Sequence, residues 1–126
     1  YEDGINQGLN WFNGEIRKIN DTNLKIKTPQ MGWNNVCIKE NKHPLLENIN
    51  NEEHFYFANS YHFIGEENAV LGYCEYGVKI ASIIAKNNIF ATQFHPEKSG
   101  IAGLKIIENF LNWDFSQNKL THNYLK

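Results

Sequence analysis

A histidine and a glutamate two residues apart, His95 and Glu97, stand where the apolar run from Ile89 to Phe94 gives way to Pro96-Glu97-Lys98-Ser99. Imidazole is the side chain suited to carrying a proton near neutral pH. A carboxylate beside it fixes its tautomer and stabilises the imidazolium, so the two form the base and the orienting acid of a nucleophilic triad. Pro96 between them holds its own φ at about −65° and biases His95 away from helix, which allows a tight turn to bring the carboxylate against the ring. Strand ends are where reactive groups gather in α/β proteins, because the last side chains are held rigidly and stay accessible. The same residues also suit an ordinary strand-to-helix turn with an acid in the first helical turn, and spacing alone leaves both readings open.

The elements that must hold this pair are read from periodicity. Loose alternation from Gly14 to Ile26 around Asn20-Asp21-Thr22-Asn23 predicts a hairpin. A strand is expected over 34–38, and His43-Pro44-Leu45-Leu46-Glu47 suits a helical turn with proline near its first position. The runs 54–58, 69–73, 81–85 and 89–94 are β-branched or aromatic between turn formers, and the last two flank Lys86-Asn87-Asn88. From Ser99 the period lengthens. Leu104, Ile107 and Leu111 fall at i, i+3 and i+7, predicting a closing amphipathic helix with Ser99 as its cap and Lys105 and Glu108 turned outward. The polar stretch 114–126 is expected to be a surface tail.

Composition bounds the function. At 126 residues and 41% hydrophobic the chain suits one domain. Twelve basic against 14 acidic residues, a net charge of −2, leave no electrostatic footprint for nucleic acid or an anionic membrane. No apolar stretch approaches the roughly 20 residues of a membrane span, and Tyr1-Glu2-Asp3 opens no signal peptide, so a soluble protein is expected. Cys37 and Cys74 lack C-x-x-C spacing and suit a reduced, cytoplasmic setting. His43, His54, His62 and His122 lack ligand spacing, and neither G-x-G-x-x-G nor a phosphate loop occurs, so neither a metal nor a cofactor is expected. Met31-Gly32-Trp33-Asn34 after Pro29 is poorly suited to a strand interior and suits an exposed binding surface.

Gln93-Phe94-His95-Pro96-Glu97-Lys98-Ser99, with Gly103-Leu104 and Asn109-Phe110-Leu111 behind it, resembles the closing signature of class I glutamine amidotransferases. Pro29-Gln30-Met31-Gly32-Trp33-Asn34-Asn35-Val36, Tyr56-Phe57-Ala58-Asn59-Ser60-Tyr61 and Gly8-Leu9-Asn10-Trp11-Phe12-Asn13-Gly14 resemble one branch, the HisH-type glutaminase subunits of imidazole glycerol phosphate synthase. The likeness runs over about residues 8–111 in the family's order.

It implies a flavodoxin-like three-layer α/β fold about a parallel sheet, strand-rich here with a closing amphipathic helix. It also implies a Cys-His-Glu triad in which His95 and Glu97 are catalytic. Asn59, Ser60 and Tyr61 would line the glutamine pocket. Met31, Trp33, Asn34, Tyr56 and Lys98 would face a barrel-type synthase partner in a heterodimer that receives ammonia for histidine biosynthesis. No cofactor is implied.

Two departures qualify the resemblance. The G-x-C-x-G nucleophile elbow does not occur, and Cys37 and Cys74 lack the flanking glycines of such a turn, so both are expected to be structural. The chain thus looks like the C-terminal portion of a longer amidotransferase domain. Asn59 stands where the branch carries histidine, which keeps two alternatives in view: a paralogue supplying ammonia to amidate a bacterial surface sugar, and a non-catalytic partner-binding remnant. Residues 1–126 alone are expected to release no glutamate from glutamine. Release abolished by Cys37→Ala or Cys74→Ala would overturn the missing-nucleophile argument.

Overall fold

The computed structural model describes residues 3–20, 26–39 and 43–114. The expected turn at 21–23, His122 and residues 115–126 of the tail lie outside them. Seven strands and one α-helix are described: β1 Gly14–Lys18, β2 Gln30–Ile38, β3 Glu53–Asn59, β4 Tyr61–Gly65, β5 Val70–Tyr76, β6 Val78–Lys86, β7 Ile89–Thr92 and α1 Gly100–Leu111. One sheet has the order β3-β2-β5-β6-β7, and β1 pairs with β4 in a second, two-stranded sheet.

Every pairing among the described strands is antiparallel, not the parallel arrangement the resemblance implies. Chain economy accounts for this. β5 to β6 and β6 to β7 are joined by one and two residues, Gly77 and Asn87-Asn88, and such short connections can only return a strand beside its predecessor. Gly77 and Asn87 adopt φ of 72° and 55°, the left-handed region tight turns require.

Of the hairpin expected over residues 14–26, residues 21–25 lie outside the described residues, and the described strand is β1. Among the described residues β1 pairs with β4, Gly14 opposite Gly65 and Lys18 opposite Tyr61, while Ile26 lies in a bend. Strand β4 was not legible in the sequence because it follows β3 after a single residue. The Met31-Gly32-Trp33-Asn34 stretch lies inside β2 rather than in a turn, with Gly32 at φ 128°. Met31 and Trp33 remain 65% and 57% exposed, since odd-numbered residues of β2 share its outward face.

Val36, Ile38, Phe55, Phe57, Cys74, Ile80, Ile83, Phe94 and Ile106 form the centre of the core. The closing helix is rotated from its expected face. Gly103 and Ile106 are buried, whereas Leu104 and Leu111 are 61% and 76% exposed. The helix approaches the turn before it so closely that only a residue without a side chain fits there, and this makes the Gly103 line the inner face. No helix among the described residues is long and apolar enough to cross a membrane.

His43 is buried rather than superficial. Its Nδ1 accepts the Leu45 N–H at 3.2 Å, capping the 3-10 turn Pro44–Leu46, and its ring packs against Phe90 and Trp113. Burial pushes its pKa from 6.5 down to about 4, and burial also lowers that of His62. The unfolded chain therefore binds a proton at His43 that the folded chain refuses between these values. Stability is present in full above pH 6.5 and falls as the pH drops toward 4, by roughly 3 kcal/mol at most. Urea denaturation across pH 7 to 4 is expected to show this loss, and His43→Leu should flatten it.

Candidate active site

The reactive pair sits on a turn fastened to the free edge of β3. Phe94, the residue before His95, stacks on Phe55 at 4.1 Å between ring centroids and meets Phe57 edge-on at 5.8 Å. Phe55 and Phe57 alternate inward along β3, so Tyr56 between them points outward. As an edge strand, β3 leaves backbone groups unpaired on its outer side. The Tyr56 carbonyl there accepts the His95 N–H at 2.9 Å, and the Tyr56 N–H donates to Ser99 Oγ at 2.9 Å. Pro96–Lys98 forms one 3-10 turn, after which α1 begins.

Within this turn His95 Nδ1 lies 2.8 Å from Glu97 Oε1. The Glu97 pKa is lowered first by a hydrogen bond from its own backbone N–H and then by His95, so the carboxylate is ionised and acts as acceptor. Nδ1 accordingly carries the ring proton, which leaves the Nε2 lone pair to take a proton from a neighbouring group. Both side chains are partly open to solvent, at 40% and 58% exposure. The contact therefore acts by orientation more than by stability.

Gly103 brings the helix against this turn. A Cβ there would meet the Pro96 carbonyl oxygen at 1.9 Å and Ser99 Cβ at 2.7 Å. Ser99 does not cap α1 with its side chain as the sequence predicts. Its hydroxyl donates to the His95 carbonyl at 2.6 Å and accepts from Tyr56. Sequence reasoning missed Ser99 and Gly103 as supports for His95. The glycine three residues into an otherwise good helix was the available signal.

The other expected site residues divide. Met31, Trp33 and Tyr56 share the outward face of β2 and β3, where Trp33 opposes Tyr56 in register and the rings meet edge to face at 6.0 Å. Trp33 also lies over Gly100, the first residue of α1, with Lys98 exposed in the turn just before it. Asn34 is on the opposite face of β2, and its amide donates to Gln30 Oε1 at 3.0 Å and to the Glu75 carbonyl at 2.8 Å. Asn59 is buried at the end of β3, accepting from Gln30 Nε2 at 3.2 Å and donating to the Tyr61 carbonyl at 3.1 Å. Ser60 and Tyr61 are half-buried at the β3–β4 corner, and no described contact joins them or Asn59 to His95.

Cys37 is exposed and Cys74 buried, both as free thiols. Burial pushes the Cys74 thiol pKa up, the reverse of an activated nucleophile. Among the described residues no three of His, Cys, Asp and Glu converge on a point where a metal ion would sit.

His95 and Glu97 thus stand at a strand end in the geometry of an imidazole with an orienting carboxylate, and comparison gives the chain a family. The family model of class-I glutamine amidotransferases matches residues 7–113, and the chain belongs to that family. It is 46% identical over 114 residues to the imidazole glycerol phosphate synthase subunit HisH of Pelagibacter ubique, covering 89% of this chain and 54% of that protein. It is 50% identical over 105 residues to the HisH subunit of Methanocaldococcus jannaschii, covering 83% of this chain and 52% of that one. Among solved structures, a putative GMP synthase subunit from Thermoplasma acidophilum superposes with a TM-score of 0.63 at 17% identity, over 88% of this chain and 53% of its own, a likeness of fold. The chain thus spans about half the length of the curated relatives it matches.

Gly103→Ala is expected to destabilise the fold by about 3 kcal/mol, toward the upper end for overpacking, because the nearest atom is backbone rather than a movable side chain. Chemical denaturation checks this. A loss below about 0.5 kcal/mol would mean the helix can move away from the turn at little cost.

Proposed function

We propose that the protein carrying this chain is the glutaminase subunit of an imidazole glycerol phosphate synthase, hydrolysing glutamine and passing the ammonia to a barrel-type synthase subunit for histidine biosynthesis in the cytoplasm. The 2.8 Å contact between His95 Nδ1 and Glu97 Oε1 carries the reading, since it leaves Nε2 ready for proton transfer. Identity of 46–50% to imidazole glycerol phosphate synthase subunits named HisH supports the substrate and the partner proposed here.

A cysteine thiolate from a part of the protein outside residues 1–126 attacks the side-chain amide carbon of glutamine. His95 Nε2, which has taken the proton the cysteine thiol gives up, passes it to the departing nitrogen, which leaves as ammonia, and an acyl-enzyme remains. Water then attacks the thioester while His95 takes its proton, releasing glutamate and restoring the thiol. Glu97 holds the ring in one tautomer and stabilises its charged form. Delivery directly to a partner keeps ammonia from protonation in bulk water. Met31, Trp33, Tyr56 and Lys98 offer an apolar and basic face beside the catalytic turn on which such a partner would rest.

Asn59 supplies no separate argument for a sugar-amidating paralogue, because its amide is satisfied by Gln30 and the Tyr61 carbonyl. In the complete protein, His95→Asn is expected to lower glutaminase turnover by about 10³-fold or more, with a smaller loss for Glu97→Gln. Both variants should still bind the synthase subunit. Glutamate release with and without that subunit is the measurement. More than a tenth of the wild-type rate in His95→Asn would remove His95 from the mechanism.

A further inference from the structure

We propose that Ser99 is a positioning residue for His95, acting through one buried hydroxyl that ties the catalytic turn to the edge of β3. The inference rests on the glutaminase reading above for its catalytic consequence, but its geometry stands apart from it. Ser99 is 2% exposed. Its Oγ donates to the His95 carbonyl at 2.6 Å and accepts the Tyr56 N–H at 2.9 Å. A hydroxyl can donate and accept at once from a single atom, and here both capacities are used.

The His95 backbone is consequently gripped on both sides. Its N–H is held by the Tyr56 carbonyl, and its carbonyl by Ser99 Oγ together with the Lys98 N–H at 3.1 Å. Ser99 is further fixed at its own backbone, where its N–H donates to the Pro96 carbonyl at 3.1 Å and its carbonyl accepts the Gly103 N–H at 3.2 Å. Ser99 thus links three elements, the edge of β3 and the turn bearing His95 and Glu97 through its hydroxyl and the first turn of α1 through its carbonyl.

The consequence lies in where the pair is weak. The His95–Glu97 contact is solvent-exposed and cannot by itself hold a ring direction against thermal motion. Direction must come from the backbone beneath. Removing the hydroxyl leaves the Tyr56 N–H without its partner and frees the His95 carbonyl from one of its two donors, so the turn can swing and the imidazole loses its fixed tautomer.

The test uses the complete protein with its synthase subunit. Ser99→Ala is compared with Ile83→Val, a core truncation away from the turn, at a temperature where both are fully folded. Ser99→Ala is expected to lower kcat by about tenfold to a hundredfold with KM within about threefold, as for a misplaced catalytic group. Imidazole ¹⁵N shifts of His95 should move from the Nδ1–H tautomer toward a mixture, while Ile83→Val changes neither. Ser99→Cys, closer in volume and a far weaker hydrogen-bonding group, carries the same expectation if alanine does not fold. Retained kcat or retained ¹⁵N shifts in the folded variant would overturn the proposal. A wild type without turnover would remove the glutaminase reading, and the ¹⁵N shifts would still decide whether Ser99 orients His95.

Discussion

The docking of the 94–99 turn onto the outer edge of β3 is the constraint on which the site depends. An edge strand presents unpaired backbone groups that must be satisfied by something, and here the partner is the turn that carries the reactive pair. Phe94 supplies the apolar part of the same contact by stacking against Phe55 and Phe57. Burial of three aromatic rings sets the position of the turn to within a side chain's width. The directional bonds to Tyr56 then set its angle.

This division of labour explains why the reactive pair can remain open to solvent. His95 and Glu97 contribute little to holding the fold, and their contact is of a kind worth little in stability. The rigidity they need is supplied from beneath by the Tyr56 backbone, the Ser99 hydroxyl and the bare α-carbon of Gly103. The close approach of α1 that Gly103 permits also rotates the helix and leaves Leu104 and Leu111 outward.

A second polar system runs behind the sheet. Asn34, Gln30 and Asn59 form a chain of amides whose direction is fixed at its ends by the Glu75 and Tyr61 carbonyls, which can only accept. None of the three can flip without setting donor against donor.

The sequence by itself determined the family, most of the strands and the turn that sets His95 beside Glu97. His-Pro-Glu after an apolar run is a local pattern, and β-branched or aromatic runs bounded by turn formers at 54–58, 81–85 and 89–94 are a local property of each segment. The 3-10 turn after His43 was equally legible, because Pro44 acts at its own position. Tertiary structure alone decided what depends on distant partners. β1 pairs with β4, more than 40 residues on, because register and pairing are settled by the face each strand buries rather than by sequence proximity. Leu104, Ile107 and Leu111 formed a sound helical stripe, yet the stripe that packs is the one with Gly103, since the distance of closest approach outweighs apolarity. Ser99 reads as a cap from sequence and becomes a tie to β3 because its hydroxyl accepts the Tyr56 N–H, 43 residues away.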